Sequence, residues 1–162
     1  GDACDGLLAT TTPERRLEIM KNPRTGSWAG VGVVLLLLGK WLLIAKTPPL
    51  WLIGPPIVAR WALVLAAYHF PYARTSGLGG FFRAGLGRTQ WLVAGLFAFV
   101  LLVVAAWLVE PRLLGLLLVA PLTVAVVGRW AAARLGGGLT GDVYGALCEL
   151  TEFCSLLWLL LV

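Results

Sequence analysis

Histidine is almost missing from this chain: His69 is the only one among 162 residues, which excludes any multi-histidine metal centre built within it. Cysteine is scarce too. Cys4, Cys148 and Cys154 have no metal-ligand spacing and are odd in number, so neither a disulfide framework nor a zinc site is indicated. The one methionine, Met20, is not at the start, and the opening residues do not read as a signal peptide. The largest deficit is in charge. Only 13% of the residues are charged, against about 25% in ordinary soluble domains. No internal repeat is visible either.

What fills the chain is hydrophobic: 59% of the residues, more than a single soluble core of this length can bury. The runs 31–38, 91–109, 113–127 and 156–162 are nearly free of charge, and a membrane span needs about 20 mostly apolar residues. The sequence therefore predicts an all-α, polytopic integral membrane helix bundle with five spans, at 28–45, 50–70, 91–109, 112–127 and 141–162, plus a short interfacial helix. The whole of 1–162 reads as one membrane-embedded domain, with a polar segment at 1–27 and loops at 71–90 and 128–141. Gly54-Pro55-Pro56 predicts a kinked or broken second span, and the fourth is expected to be the shortest.

Basic residues set the expected orientation. With residues 1–27 cytoplasmic, the inner side holds Arg15, Arg16, Lys21, Arg24, Arg74, Arg83, Arg88, Arg129 and Arg134, and the outer side only Lys46 and Arg112. Lys40 and Arg60 fall within spans. The net charge of +5 then reflects topology and affinity for anionic headgroups or phosphates, not a nucleic-acid footprint.

Polar residues gather in three groups on that side. In the first, Asp2 and Asp5 would lie one turn apart on a helix, a spacing at which two carboxylates can share a divalent cation. Thr12 reads as an N-cap and Pro13 as the first residue of an amphipathic helix ending near Lys21, with Leu17 and Met20 facing the membrane. The alternative is a solvated juxtamembrane segment. The second group is the glycine-rich loop around Arg74, Gly77, Gly79 and Gly80, either a phosphate cradle or a plain connector. Arg60, deep in a span, is expected to face the bundle interior or a wet cavity. In the third group, Asp142, Gly145, Glu149 and Glu152 fall within an arc of roughly 80° on a helix, an acidic stripe running into apolar sequence. Its plain structural reading is a buried pair with Arg60 or Arg134.

Taken in order, Asp2-Ala3-Cys4-Asp5-Gly6-Leu7, the stretch from Pro13 to Lys21, Pro23-Arg24-Thr25-Gly26, Pro71-Tyr72-Ala73-Arg74 and Gly137-Gly138-Leu139-Thr140-Gly141-Asp142, with Gly145, Glu149 and Glu152, resemble the cobalamin synthase (adenosylcobinamide-GDP ribazoletransferase) family. The resemblance implies an enzyme of the cytoplasmic (inner) membrane with its active site on the cytoplasmic side. Its substrates would be adenosylcobinamide-GDP and α-ribazole or its 5′-phosphate, its products adenosylcobalamin or its phosphate and GMP, and its cofactor Mg²⁺. In that frame Asp2 and Asp5 are the metal ligands. Asp5, Asp142, Glu149 and Glu152 are the catalytic candidates, and Arg15, Arg16, Lys21, Arg24, Arg60 and Arg74 bind substrate. A homo-oligomer, or a complex with other corrinoid-pathway enzymes, is a further expectation.

Two departures from the family pattern stand out. An acidic HxDGxAD stretch usually surrounds the position of Asp2, so the chain is expected to be a fragment lacking its N-terminal part. Asn22 stands where an aspartate is usual. The competing reading is a transporter or ion channel in which Arg60, Glu149 and Glu152 form an ion path.

Overall fold

The computed structural model describes residues 1–161, and among them every regular element is helical. Two short helices, α1 (Asp2–Leu8) and α2 (Pro13–Ile19), pack on each other ahead of the first span. Thr12 caps α2, its hydroxyl accepting from the Arg15 N–H at 3.5 Å, and Pro13 takes the first position, where a missing N–H costs nothing. The helix ends at Ile19. Met20 does not face a membrane as expected: it is 3% exposed and lies over Gly6, where α1 and α2 meet.

Five helical segments are long and apolar enough to cross a bilayer: Ser27–Ile44 (α3), Pro49–His69, Arg88–Leu108 (α6), Pro111–Arg134 and Gly141–Leu161 (α9). The second begins as a 3₁₀ turn, Pro49–Ile53, and continues without a break as α4 (Gly54–His69). Gly54-Pro55-Pro56 thus marks a change of helix type near one end, where prolines displace few hydrogen bonds, and not a mid-span fracture. The loop after α4 contains one short helix, α5 (Leu78–Ala84).

The fourth span is the longest of the five, at 24 residues, where the shortest was expected. It joins a 3₁₀ turn (Pro111–Gly115), α7 (Leu116–Thr123), a π turn (Val124–Gly128) and α8 (Arg129–Arg134). Pro121 withdraws one N–H from the ladder, and the wider π turn follows directly. Charge at Arg129 and Arg134 disguises helix that continues to the interface, so the expected loop at 128–141 narrows to 135–140.

At the centre stands α4, with Val58, Ala59, Ala62, Ala66 and Ala67 fully buried against α6, α7 and α9. Small side chains let these backbones approach closely, which matters in lipid, where packing replaces the hydrophobic effect between helices. On α9 the buried hydroxyls of Thr151 and Ser155 donate back to the Leu147 and Thr151 carbonyls, 2.7 Å each, so both are satisfied within the helix. Only Ala29 of α3 is buried, and that helix leans chiefly on α1 and α9.

Candidate active site

All three polar groups meet at one end of the bundle. A parallel bridge joins Tyr72 to Leu139, the Ala73 N–H donating to the Leu139 carbonyl (2.8 Å) and the Leu139 N–H to that of Pro71 (2.9 Å). This clips the α4–α5 loop to the segment entering α9. Arg16 and Arg134 both donate to the Leu7 carbonyl, at 2.7 and 2.8 Å, which ties α1 to the end of α8.

Between α1, α3 and α9 lies a cavity of about 370 Å³ whose wall includes Asp2, Asp142, Gly145 and Glu149. The two sequence clusters that spacing singled out, 140 residues apart, therefore face one space. Asp5 shares α1 with Asp2 as predicted but also has a structural task. Its Oδ2 accepts from the Gly26 N–H (2.7 Å) and its Oδ1 from the Ala29 N–H (2.8 Å), which caps the start of α3.

Neither Glu149, whose side chain is 48% exposed, nor the more buried Glu152 pairs with Arg134. Lys40, 12% exposed, donates to both, at 2.5 and 2.6 Å, and the Arg60 Nη1 stands 3.4 Å from Glu152. Glu149 reaches the cavity wall, whereas Glu152 lies about one turn deeper and outside it. Arg60 departs from expectation: its side chain is 64% exposed, flanks an apolar groove between α4 and α6, and turns sideways to donate to the Cys148 sulfur at 2.5 Å. Lys40 is the interior cation in its place. The sequence signal for it was present, a lone lysine within an apolar run, but nothing in the sequence named its partners.

The other basic candidates separate into two kinds. Arg16 is 7% exposed and donates to the carbonyls of Gly6, Leu7 and Thr11, so it closes the C-terminal end of α1 instead of reaching the cavity. Burial and, secondarily, the nearby Arg134 charge hold its guanidinium below the ordinary arginine range. Arg15 pairs with Glu18 on the exposed face of α2 (2.7 Å), and Lys21 and Arg24 are exposed beside it. Arg74 does reach the site, with Nη2 3.1 Å from Asp142 Oδ2. In the glycine loop, Gly79 and Gly80 press against the Tyr72 ring, and Gly77, at φ 134°, gives the backbone a conformation that L side chains rarely adopt.

A family model described as cobalamin-5-phosphate synthase matches residues 1–160. The chain belongs to that family. Its relatives include proteins named adenosylcobinamide-GDP ribazoletransferase from Desulfitobacterium hafniense, 38% identical over 96% of this chain and 63% of the relative, and from Deinococcus radiodurans, 39% identical over 96% and 54%. A third, from Syntrophobacter fumaroxidans, is 40% identical over 93% and 61%. The chain thus spans a little over half to under two thirds of the length of these relatives. No solved structure matches it. Membership of a synthase family sets the transporter reading aside, and the glutamates that reading invoked are held by Lys40 and Arg60.

Proposed function

We propose that this chain carries much of the active site of an adenosylcobinamide-GDP ribazoletransferase, working at the cytoplasmic face of the inner membrane. The supporting observation is the shared cavity. Asp2 from the N-terminal cluster and Asp142 and Glu149 from the α9 stripe line it at the end of the bundle where the basic residues gather, in a chain whose curated relatives bear that name.

In this reaction a ribazole hydroxyl attacks the phosphorus on the cobinamide side of the pyrophosphate. A P–O bond forms there, the P–O bond to GMP breaks, and the hydroxyl proton passes to a carboxylate. Such transfers need alignment and charge neutralisation more than covalent chemistry. The donor set fits Mg²⁺, which takes one or two carboxylates and completes its shell from substrate phosphates and water. Among the described residues no three His, Cys, Asp or Glu side chains stand close enough for an all-protein cage, and this ion does not need one. Asp2 and Asp5 would hold it, Asp5 through lone-pair sites that its two backbone donors leave free. The bound ion would offset charge on the pyrophosphate and on the departing GMP.

The chain's own side chains do the rest. Asp142 or Glu149, at the cavity wall, accepts the hydroxyl proton; Lys40 fixes Glu149 in place; Lys21 and Arg24, both exposed, attract the polyphosphate. The test is formation of GMP together with cobalamin or its phosphate by the full-length protein in membranes, for wild type and for Asp2→Ala and Glu149→Gln. Both products should fall together by at least about a hundredfold in each variant. Unchanged turnover in either variant sinks its assigned role.

A further inference from the structure

A second chamber opens at the same end of the bundle, about 550 Å³ in volume and within the size range of small-ligand sites. Tyr72, Arg74, Gly77, Gly141, Asp142 and Tyr144 line it. Its polar groups are unfinished. The Arg74 side chain is only 16% exposed, its Nε has no acceptor, and its Nη2 lies near Asp142 without hydrogen-bond geometry. Tyr144 is 4% exposed, and its hydroxyl has no partner at all. Each such orphan costs about 1–3 kcal/mol if nothing ever meets it. Gly141 and Asp142 also open a 21-residue helix, whose dipole favours an anion, although Thr140 already accepts from the Val143 and Tyr144 N–H groups.

Two side chains with donors lacking acceptors, in the lining of one space, call for an oxyanion. The room beyond them, with the Tyr72 ring in its wall, suits a planar base on a sugar. We propose that this chamber seats a nucleoside 5′-monophosphate, with Arg74 and Tyr144 donating to its phosphate and Tyr72 flanking the base. The choice of ligand rests on the transferase reading, in which two compounds share this chemistry: α-ribazole 5′-phosphate as acceptor and GMP as leaving product. Asp142 connects the two chambers, since it lines both. So does Gly145, at which an added Cβ would meet nothing within 4 Å. An arriving phosphate takes the place of the Asp142 carboxylate on the guanidinium and releases that carboxylate towards the acidic cavity.

The experiment is equilibrium binding to the full-length protein in phosphatidylcholine nanodiscs. The probes are GMP, α-ribazole 5′-phosphate, the two parent nucleosides and inorganic phosphate. Both monophosphates, or one of them, should bind at least about tenfold tighter than the parent nucleoside, and whichever shows the gap is the occupant. Tyr144→Phe should narrow the gap about fivefold and Arg74→Gln should abolish it, with nucleoside binding and the melting temperature of Tyr144→Phe unchanged. The proposal is overturned if wild type binds nucleoside and nucleotide alike, or if Tyr144→Phe keeps the full preference. It is equally overturned if phosphatidylglycerol in the nanodisc suppresses nucleotide binding, since a lipid headgroup would then be the occupant. Lost phosphate preference with intact turnover removes this site alone, whereas nucleotide binding without turnover removes the transferase reading alone.

Discussion

Asp2 and Asp5 look alike in the sequence, yet one turn of helix gives them different burdens. Asp2 lines the acidic cavity, while both oxygens of Asp5 receive backbone N–H groups at the start of α3. Asp2→Ala should therefore abolish turnover and leave thermal unfolding in detergent unchanged. Asp5→Ala should also lower stability, by about 1–3 kcal/mol for charge-assisted cap bonds; equal melting temperatures for the two variants would refute the cap. Arg16 makes the complementary point. A buried guanidinium serving three carbonyls cannot be replaced by an ammonium. Arg16→Lys should lower the melting temperature without raising KM for the proposed adenosylcobinamide-GDP substrate, and the reverse pattern would restore it as a substrate ligand. Nothing in the local pattern of Glu14-Arg15-Arg16 told these two arginines apart, because burial depends on the Gly6 and Leu7 carbonyls of another helix.

Among the five spans, α3 has the least packing, and polar contacts hold it at two points: the Asp5 cap at one end and Lys40 on Glu149 and Glu152 further in. In a low-dielectric setting, breaking one partner of such a set leaves an uncompensated charge. Lys40→Met should destabilise the protein by about 3–5 kcal/mol. Combining Lys40→Met with Glu149→Gln and Glu152→Gln should recover much of the loss, by chemical denaturation in a mild detergent. Full additivity would mean that the groups do not interact. Gly39 lies one residue before Lys40, where a Cβ would meet the Phe153 ring at 2.6 Å, so the close approach of α3 to α9 is itself set by a glycine. The acidic stripe on α9 was legible as a stripe from its spacing. Its partner was not, since Lys40 lies more than 100 residues away and periodicity carries no information about which helices become neighbours.

At the scale of the whole molecule, five membrane-length segments bring residues 1–26, 70–87 and 135–140 to one face, where the sequence places most of the basic residues. In a variant lacking Cys4, Cys148 and Cys154, single cysteines at Ser76→Cys and Lys46→Cys should react with an impermeant thiol reagent from opposite sides of the membrane, Ser76→Cys from the cytoplasm. Labelling of both from one side would overturn the topology. Number and approximate place of the spans follow from composition, because a stretch of about 20 apolar residues has no other stable home. Their ends do not, since arginine is compatible with either a loop or the last turn of a helix, and the fourth span was under-read for that reason. The sequence by itself determined the all-helical membrane bundle, the family and the acidic and basic residues worth watching. Only the tertiary structure decided which of those charges face a cavity and which hold helices together, because that choice depends on contacts between segments distant in the chain.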